Sequence, residues 1–167
     1  MASHTIADSK KFVYLTEGTV STNTITYTND REICKIAVQK IEEDANNPVV
    51  SVQTPVPRGS GTTTAPNTWL IDLKRWKRVF TITGLLIDED DWGDGNAQTR
   101  ESKRDYLRYL AGLDSTNKRS GTITAVWGVD GVERESITGI IQKFKITDSG
   151  STDKFSVMLT FLEGVNR

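Results

Sequence analysis

The chain has 167 residues, 21 basic and 22 acidic side chains and a formal net charge of -1: enough length for one hydrophobic core, and no bulk attraction to nucleic acid or anionic membrane. Its single cysteine, Cys34, cannot form an internal disulfide, and the N-terminus MASHTIADSKK lacks the apolar centre of a signal peptide, so folding in a reducing cytoplasm is expected. No apolar run approaches the roughly 20 residues needed to span a bilayer, which argues against a transmembrane role.

Residues 1–10 are small and polar without periodicity and read as a flexible arm on a single domain, 1–167. FVYLTEGTVSTNTITYT (12–28) is dense in Thr, Val, Tyr and Ile, with Glu17-Gly18 as a turn, and predicts two short strands. REICKIAVQKIEE (31–43) fits helical spacing through Ile33, Ile36, Ala37 and Ile41, and strand spacing through Cys34, Ile36 and Val38; the neighbouring strands favour β. DANNPVVSVQTPVPRGSGTTTAPN (44–67) holds all four prolines and can be neither a helix nor a central strand. So long an irregular stretch is expected to be an interaction loop or, if VVSVQ (49–53) pairs, a projecting hairpin; the alternative is mere slack.

WLIDLKRWKRVFTITGLLIDE (69–89) alternates Trp69, Ile71 and Leu73, then Phe80, Ile82, Gly84 and Leu86 against apolar residues on the other face. Apolar residues on both faces predict a central strand covered on both sides. Lys74, Arg75, Lys77 and Arg78 around Trp76 resemble a nucleic-acid grip, but such a cluster on a near-neutral chain is more often a solvated corner or a salt-bridging edge. A helix is expected over about 99–112, capped by Thr99, with Glu101 in its first turn and Gly112 ending it. Tyr106, Leu107, Leu110 and Leu113 form its packed face, and Lys103, Arg104, Asp105 and Arg108 its wet face. Three strands follow, at 121–129, 134–147 and 154–162, the second changing phase near Gln142-Lys143 as a β-bulge would require. The sum is a mainly β chain: an antiparallel β-sandwich or split barrel with one flanking helix.

Chemistry-bearing residues are few. His4 is the only histidine, so a Ser-His-Asp triad or a histidine metal cluster is not available within one chain. Cys34 reads as a buried structural thiol, and no glycine-rich phosphate loop occurs. In the acidic turn DEDDWGDGNAQTRE, Asp90, Asp94 and Glu101 fall at positions one, five and twelve of a calcium loop, but Trp92 at position three cannot ligate. The simpler reading is a strand-to-helix turn whose acids favour the helix N-terminus. No catalytic residue, cofactor site or metal site is assigned, and an enzyme is not expected.

With WLIDLKRWKRVFTITGLLIDE, the helix ESKRDYLRYLAGL and the closing strands SGTITAVWG, SITGIIQKFKITD and FSVMLTFLEG, the chain resembles tail-tube and related baseplate proteins of tailed bacterial or archaeal viruses, over roughly residues 68–165. The resemblance implies a β-sandwich or split barrel flanked by a helix, associating as hexameric rings that stack into a hollow tail tube through which the genome passes. It makes the 44–67 stretch the inter-ring element and 1–10 and 163–167 the arms. Partners would be further copies, other tail or baseplate proteins and, transiently, DNA, in a virion tail assembled in the host cytoplasm. Two alternatives stay open: a single-ring distal tail or adaptor protein of the same fold, and a calcium- or ligand-binding β module.

Overall fold

The computed structural model of the protein describes residues 2–6, 11–21, 24–27, 33–46, 49–53, 68–72, 77–89, 97–113, 122–128, 134–150 and 153–164. Six strands close on themselves: β2 (Phe12–Thr16), β5 (Ile33–Asn46), β8 (Lys77–Ile87), β9 (Ile123–Gly128), β10 (Arg134–Asp148) and β11 (Lys154–Glu163). The order around the barrel is β10-β11-β8-β5-β2-β9, every pairing antiparallel. The mainly β expectation with one helix holds, and the sheet closes rather than splitting.

The interior follows from period-two alternation. Val13 and Leu15, Cys34 and Ile36, Phe80, Ile82 and Leu86, Ile123, Ala125 and Trp127, and Phe155 to Phe161 at every second position all turn inward into one apolar cluster. A small barrel has room only for side chains, and here they fill it. The expected bulge in β10 is present: the register shifts between Ile141 and Lys143, which returns Phe144 and Ile146 to the inner side. A second shift, between Val38 and Lys40 in β5, likewise keeps Ile41 inward. Strand β8 is central, between β5 and β11, but only its Phe80, Ile82, Gly84 and Leu86 side is buried. The expectation of cover on both faces fails, because Val79, Thr81, Thr83 and Leu85 are half-exposed.

β1 (Ala2–Thr5), β3 (Thr19–Val20) and β4 (Thr24–Tyr27) make a small sheet in the order β1-β4-β3. Ile6 and Ile25 join Tyr14, Ile33 and Val126 in a second cluster, so this sheet covers the outer side of β2 and β9. The expectation of a flexible arm over 1–10 is therefore corrected for residues 2–6: Ala2 to Thr5 pair with Tyr27 to Thr24, and His4 is buried against the Tyr14 ring at 5.4 Å. Residue-level polarity hid this because Ser3 and Thr5 are the exposed half of a two-faced strand. The 12–28 stretch likewise holds three strands rather than two.

The 44–67 stretch divides. Asp44–Asn46 belong to β5, so the irregular segment starts later than expected. β6 (Val49–Gln53) pairs with β7 (Thr68–Asp72) alone, from Val49 opposite Asp72 to Gln53 opposite Thr68. Residues 54–67 and the Leu73–Trp76 part of the basic cluster lie outside the described residues.

The helix α1 spans Arg100–Leu110. Thr99 caps it, its hydroxyl accepting from Ser102 N at 3.2 Å, and Glu101 sits in the first turn as expected. At the other end Leu113 N donates to Arg108 O and Gly112 N to Tyr109 O, with Gly112 at φ 77, a conformation that glycine adopts without a Cβ penalty. Leu113, assigned to the packed face, is instead 68% exposed. It follows the left-handed turn and no longer shares the helix's azimuth.

Gly84 is required by close approach. A Cβ there would meet the Ala37 carbonyl oxygen across the β5 bulge and lie 2.7 Å from Ile36 Cγ2. Gly84→Ala is expected to lower stability by about 1–3 kcal/mol through overpacking, read as a fall in the denaturation midpoint; an unchanged midpoint would mean that the bulge moves aside freely.

Candidate functional site

Closing a barrel removes strand edges but leaves two open ends, and the distinctive polar chemistry lies there. At one end, where β2 and β8 finish and β5, β9 and β11 begin, α1 lies across the opening. Its Tyr106, Leu107 and Leu110 join the interior cluster. Tyr109 Oη donates to Glu17 Oε2 at 2.8 Å, and Glu17 N donates to Tyr106 Oη at 3.4 Å, tying the helix to the turn after β2. On the β11 side Arg100 and Arg104 lie over the Phe155 ring, 5.0 and 5.5 Å from its centre.

Lys103 is the main departure from expectation. It was placed on the wet face and is 1% exposed. Its Nζ donates to Ile87 O at 2.8 Å and to Glu89 Oε2 at 2.7 Å, while Lys35 Nζ donates to Glu89 Oε1 at 2.6 Å. One carboxylate thus bridges two ammonium groups across the rim. Burial alone would raise the Glu89 pKa, but the hydrogen bonds from Lys103 and Lys35 outweigh it and hold the carboxyl below its ordinary value. Lys35 also lies 4.3 Å from the Phe12 ring centre. The signal was in the sequence: 103, 106, 107 and 110 are one helical stripe, and Lys103 occupies its first position. A lysine at such a position is usually assigned to solvent because burial needs a partner that the sequence does not reveal.

The base of the acidic turn is held by mutual backbone hydrogen bonds between Glu89 and Gln98, at 3.1 and 2.8 Å. Gln98 is 4% exposed; its Nε2 donates to Ile33 O at 3.1 Å, and its Oε1 has no hydrogen-bond partner among the described residues. Of the candidate calcium ligands, Asp90 and Asp94 lie outside the described residues, and Glu101 pairs with Arg100 at 3.1 Å. Among the described residues no group of three or more His, Cys, Asp or Glu is placed to hold a metal. Cys34 is buried beneath the helix, its Sγ 3.6 Å from Lys103 O, and burial pushes its pKa up to about 12, partly offset by the Lys103 charge. It is a neutral packing group and not a nucleophile.

The opposite end is closed by charge. Arg78, Glu43, Glu135 and Glu163 occupy inward positions on β8, β5, β10 and β11. The guanidinium lies 5.0 Å from the Phe80 ring centre and reaches Glu43 at 2.7 Å, Glu135 at 2.8 Å and Glu163 at 3.4 Å. The hydrogen bonds that Arg78 donates to Glu43 and Glu135 raise its pKa further, so it stays cationic. Of the basic cluster around Trp76, this arginine at least serves the barrel mouth.

No helix of the described residues is long and apolar enough to cross a membrane. The barrel's interior is apolar while Lys40, Glu42, Lys143 and Lys145 point outward, the inverse of the pattern in membrane-spanning barrels. No protein-family model matches the chain, and no curated protein matches it.

Lys103→Met should cost about 2–4 kcal/mol, because it leaves a partly buried carboxylate with one partner. In Glu89→Gln, the stability difference from wild type should be constant above about pH 4.5 and shrink as pH falls below it, since a lowered folded pKa contributes above the unfolded value and is lost on acidification; pH-dependent urea melts measure both, and parallel acid limbs would contradict the bridge. Cys34 should resist alkylation by iodoacetamide in the native protein and react on unfolding; rapid native labelling would mean that the helix lifts from the barrel end.

Proposed function

We propose that the chain is a structural subunit of a viral tail, forming homo-oligomeric, hexameric rings that stack into the tube through which the genome is delivered. The observation that carries this reading is the β6–β7 hairpin. It is a two-stranded sheet with no third strand among the described residues. A lone pair of strands is marginal in water and gains its stability from packing or further strands. By register Val50 stands opposite Ile71 and Val52 opposite Trp69, so the sequence of the hairpin is rich in apolar cross-strand partners. The closed barrel with one helix is compatible with the resemblance of residues 68–165, and a net charge of -1 suits a lumen that must not hold DNA. The charged groups at the barrel ends, Lys103, Lys35 and Glu89 at one and Arg78 with Glu43, Glu135 and Glu163 at the other, are paired with one another, which suits a scaffold better than a catalyst. A single-ring distal tail or adaptor protein of the same fold is the second reading, since it needs the same ring contact but no stacking.

Electron microscopy of the full chain beside a variant lacking residues 54–66 separates the two. Stacked rings are expected for the full chain and single rings for the variant, because shortening a loop costs the fold little. Tubes from the variant would remove this loop as the inter-ring contact, and single rings from both would favour the adaptor.

A further inference from the structure

The outward side of the barrel is unevenly charged. On β8 and β11 every outward position from Val79 to Leu85 and from Ser156 to Leu162 is uncharged, and Met158 in the middle is 44% exposed. The small β1-β4-β3 sheet covers β2 and β9, which lie opposite β11 and β8 in a ring of six, so among the described residues no element covers this face. Charge is concentrated on the strands at either side. β10 turns Lys143 and Lys145 outward, both exposed, and neither forms an ion pair among the described residues. β5 turns Lys40, Glu42 and Asp44 outward, all exposed. Lys40 and Glu42 pair at 2.7 Å, a solvated contact of little net worth that can be exchanged for another, and Asp44 has no ion pair among the described residues.

β10 and β5 stand three places apart in the closed ring of six, so they lie on opposite sides of the barrel and their outward side chains point in opposite directions. One row of cross-strand partners, Lys143–Thr160–Thr81–Glu42, joins the two sides. A two-fold contact through the β10 side would set lysine against lysine, and one through the β5 side would leave its excess of acid uncompensated. A head-to-tail contact sets the basic side of one molecule against the acidic side of the next, and repetition of such a contact gives a ring when the rotation closes.

We propose that a second copy of this chain docks here, its β5 side with Glu42 and Asp44 against the β10 side with Lys143 and Lys145. This deepens the ring-forming reading above and rests on it for the number of copies. Every copy then turns its β8–β11 face the same way, giving the assembly a continuous face that is uncharged from Val79 to Leu85 and from Ser156 to Leu162.

Charge reversal tests the contact. Lys143→Glu/Lys145→Glu carries acid on both sides and Glu42→Lys/Asp44→Lys carries base on both, and all four positions are exposed, so the fold should survive, as circular dichroism would verify. Each variant alone should self-associate roughly tenfold more weakly than wild type or worse, since like charges now meet, and an equimolar mixture should recover assembly by alternating the two. Sedimentation velocity on wild type, each variant and the mixture reads this. Loss in each and recovery in the mixture supports the proposal. A variant that associates like wild type, or a mixture that does not recover, overturns this contact and leaves the ring reading standing. A wild-type chain that does not self-associate overturns both.

Discussion

The rest of the structure depends on sealing the two ends of a barrel whose interior is dry. Antiparallel pairing joins the six strands into one ring, although among the described residues β9 pairs only Arg134–Gly139 of β10 and β2 only Ile33–Ala37 of β5. The ring leaves the interior open above and below, and each opening is closed differently. At one end α1 lays Leu107 and Leu110 on the interior and anchors itself through Lys103, Glu89 and Lys35. At the other, Arg78 gathers three glutamates from three strands over Phe80. Taking Lys103 out of water costs several kcal/mol before its partners are counted. Its contribution is therefore better seen as register than as net stability: only one placement of the helix lets its ammonium reach both Ile87 O and Glu89.

That arrangement also decides which surfaces are left over. The small N-terminal sheet occupies the outer side of β2 and β9, and the helix occupies one end. What remains is the β8–β11 face, the charged flanks on β5 and β10, and the hairpin β6–β7, an extension of the same two chain segments that pair as β5 and β8. In the proposed assembly these have separate tasks. Flanks would join copies within a ring, and the hairpin would join one ring to another.

Much of the fold was legible because alternation survives in long strands. Phe155, Val157, Leu159 and Phe161 in β11 face inward as their spacing requires, and the phase change at Gln142-Lys143 marked a real bulge. The helix boundaries were readable from Thr99 and Gly112, whose capping chemistry is local. Less was legible where the deciding partner is distant in sequence. Lys103 appeared solvated because Glu89 and Lys35 reach it only in the fold, and Ala2–Thr5 appeared loose because its partner strand is a short, threonine-rich segment. At the mouth formed by Arg78, Glu43, Glu135 and Glu163 only the salt-bridging character of the basic cluster was legible; its acidic partners are spread over three other strands and meet it only when the barrel closes. Barrel rather than sandwich was undecided for the same reason: closure depends on β9 pairing with β2 across more than a hundred residues.

Stability in this chain comes from the closed core and its two sealed ends, while in the proposed assembly the outward features meet other copies. The most direct measurement of that central claim is the mass of the purified full chain in solution by native mass spectrometry. The account predicts a closed oligomer of fixed subunit number, hexameric if the tail-tube resemblance holds in full, together with multiples of it from stacking. A strictly monomeric species at every concentration would contradict it.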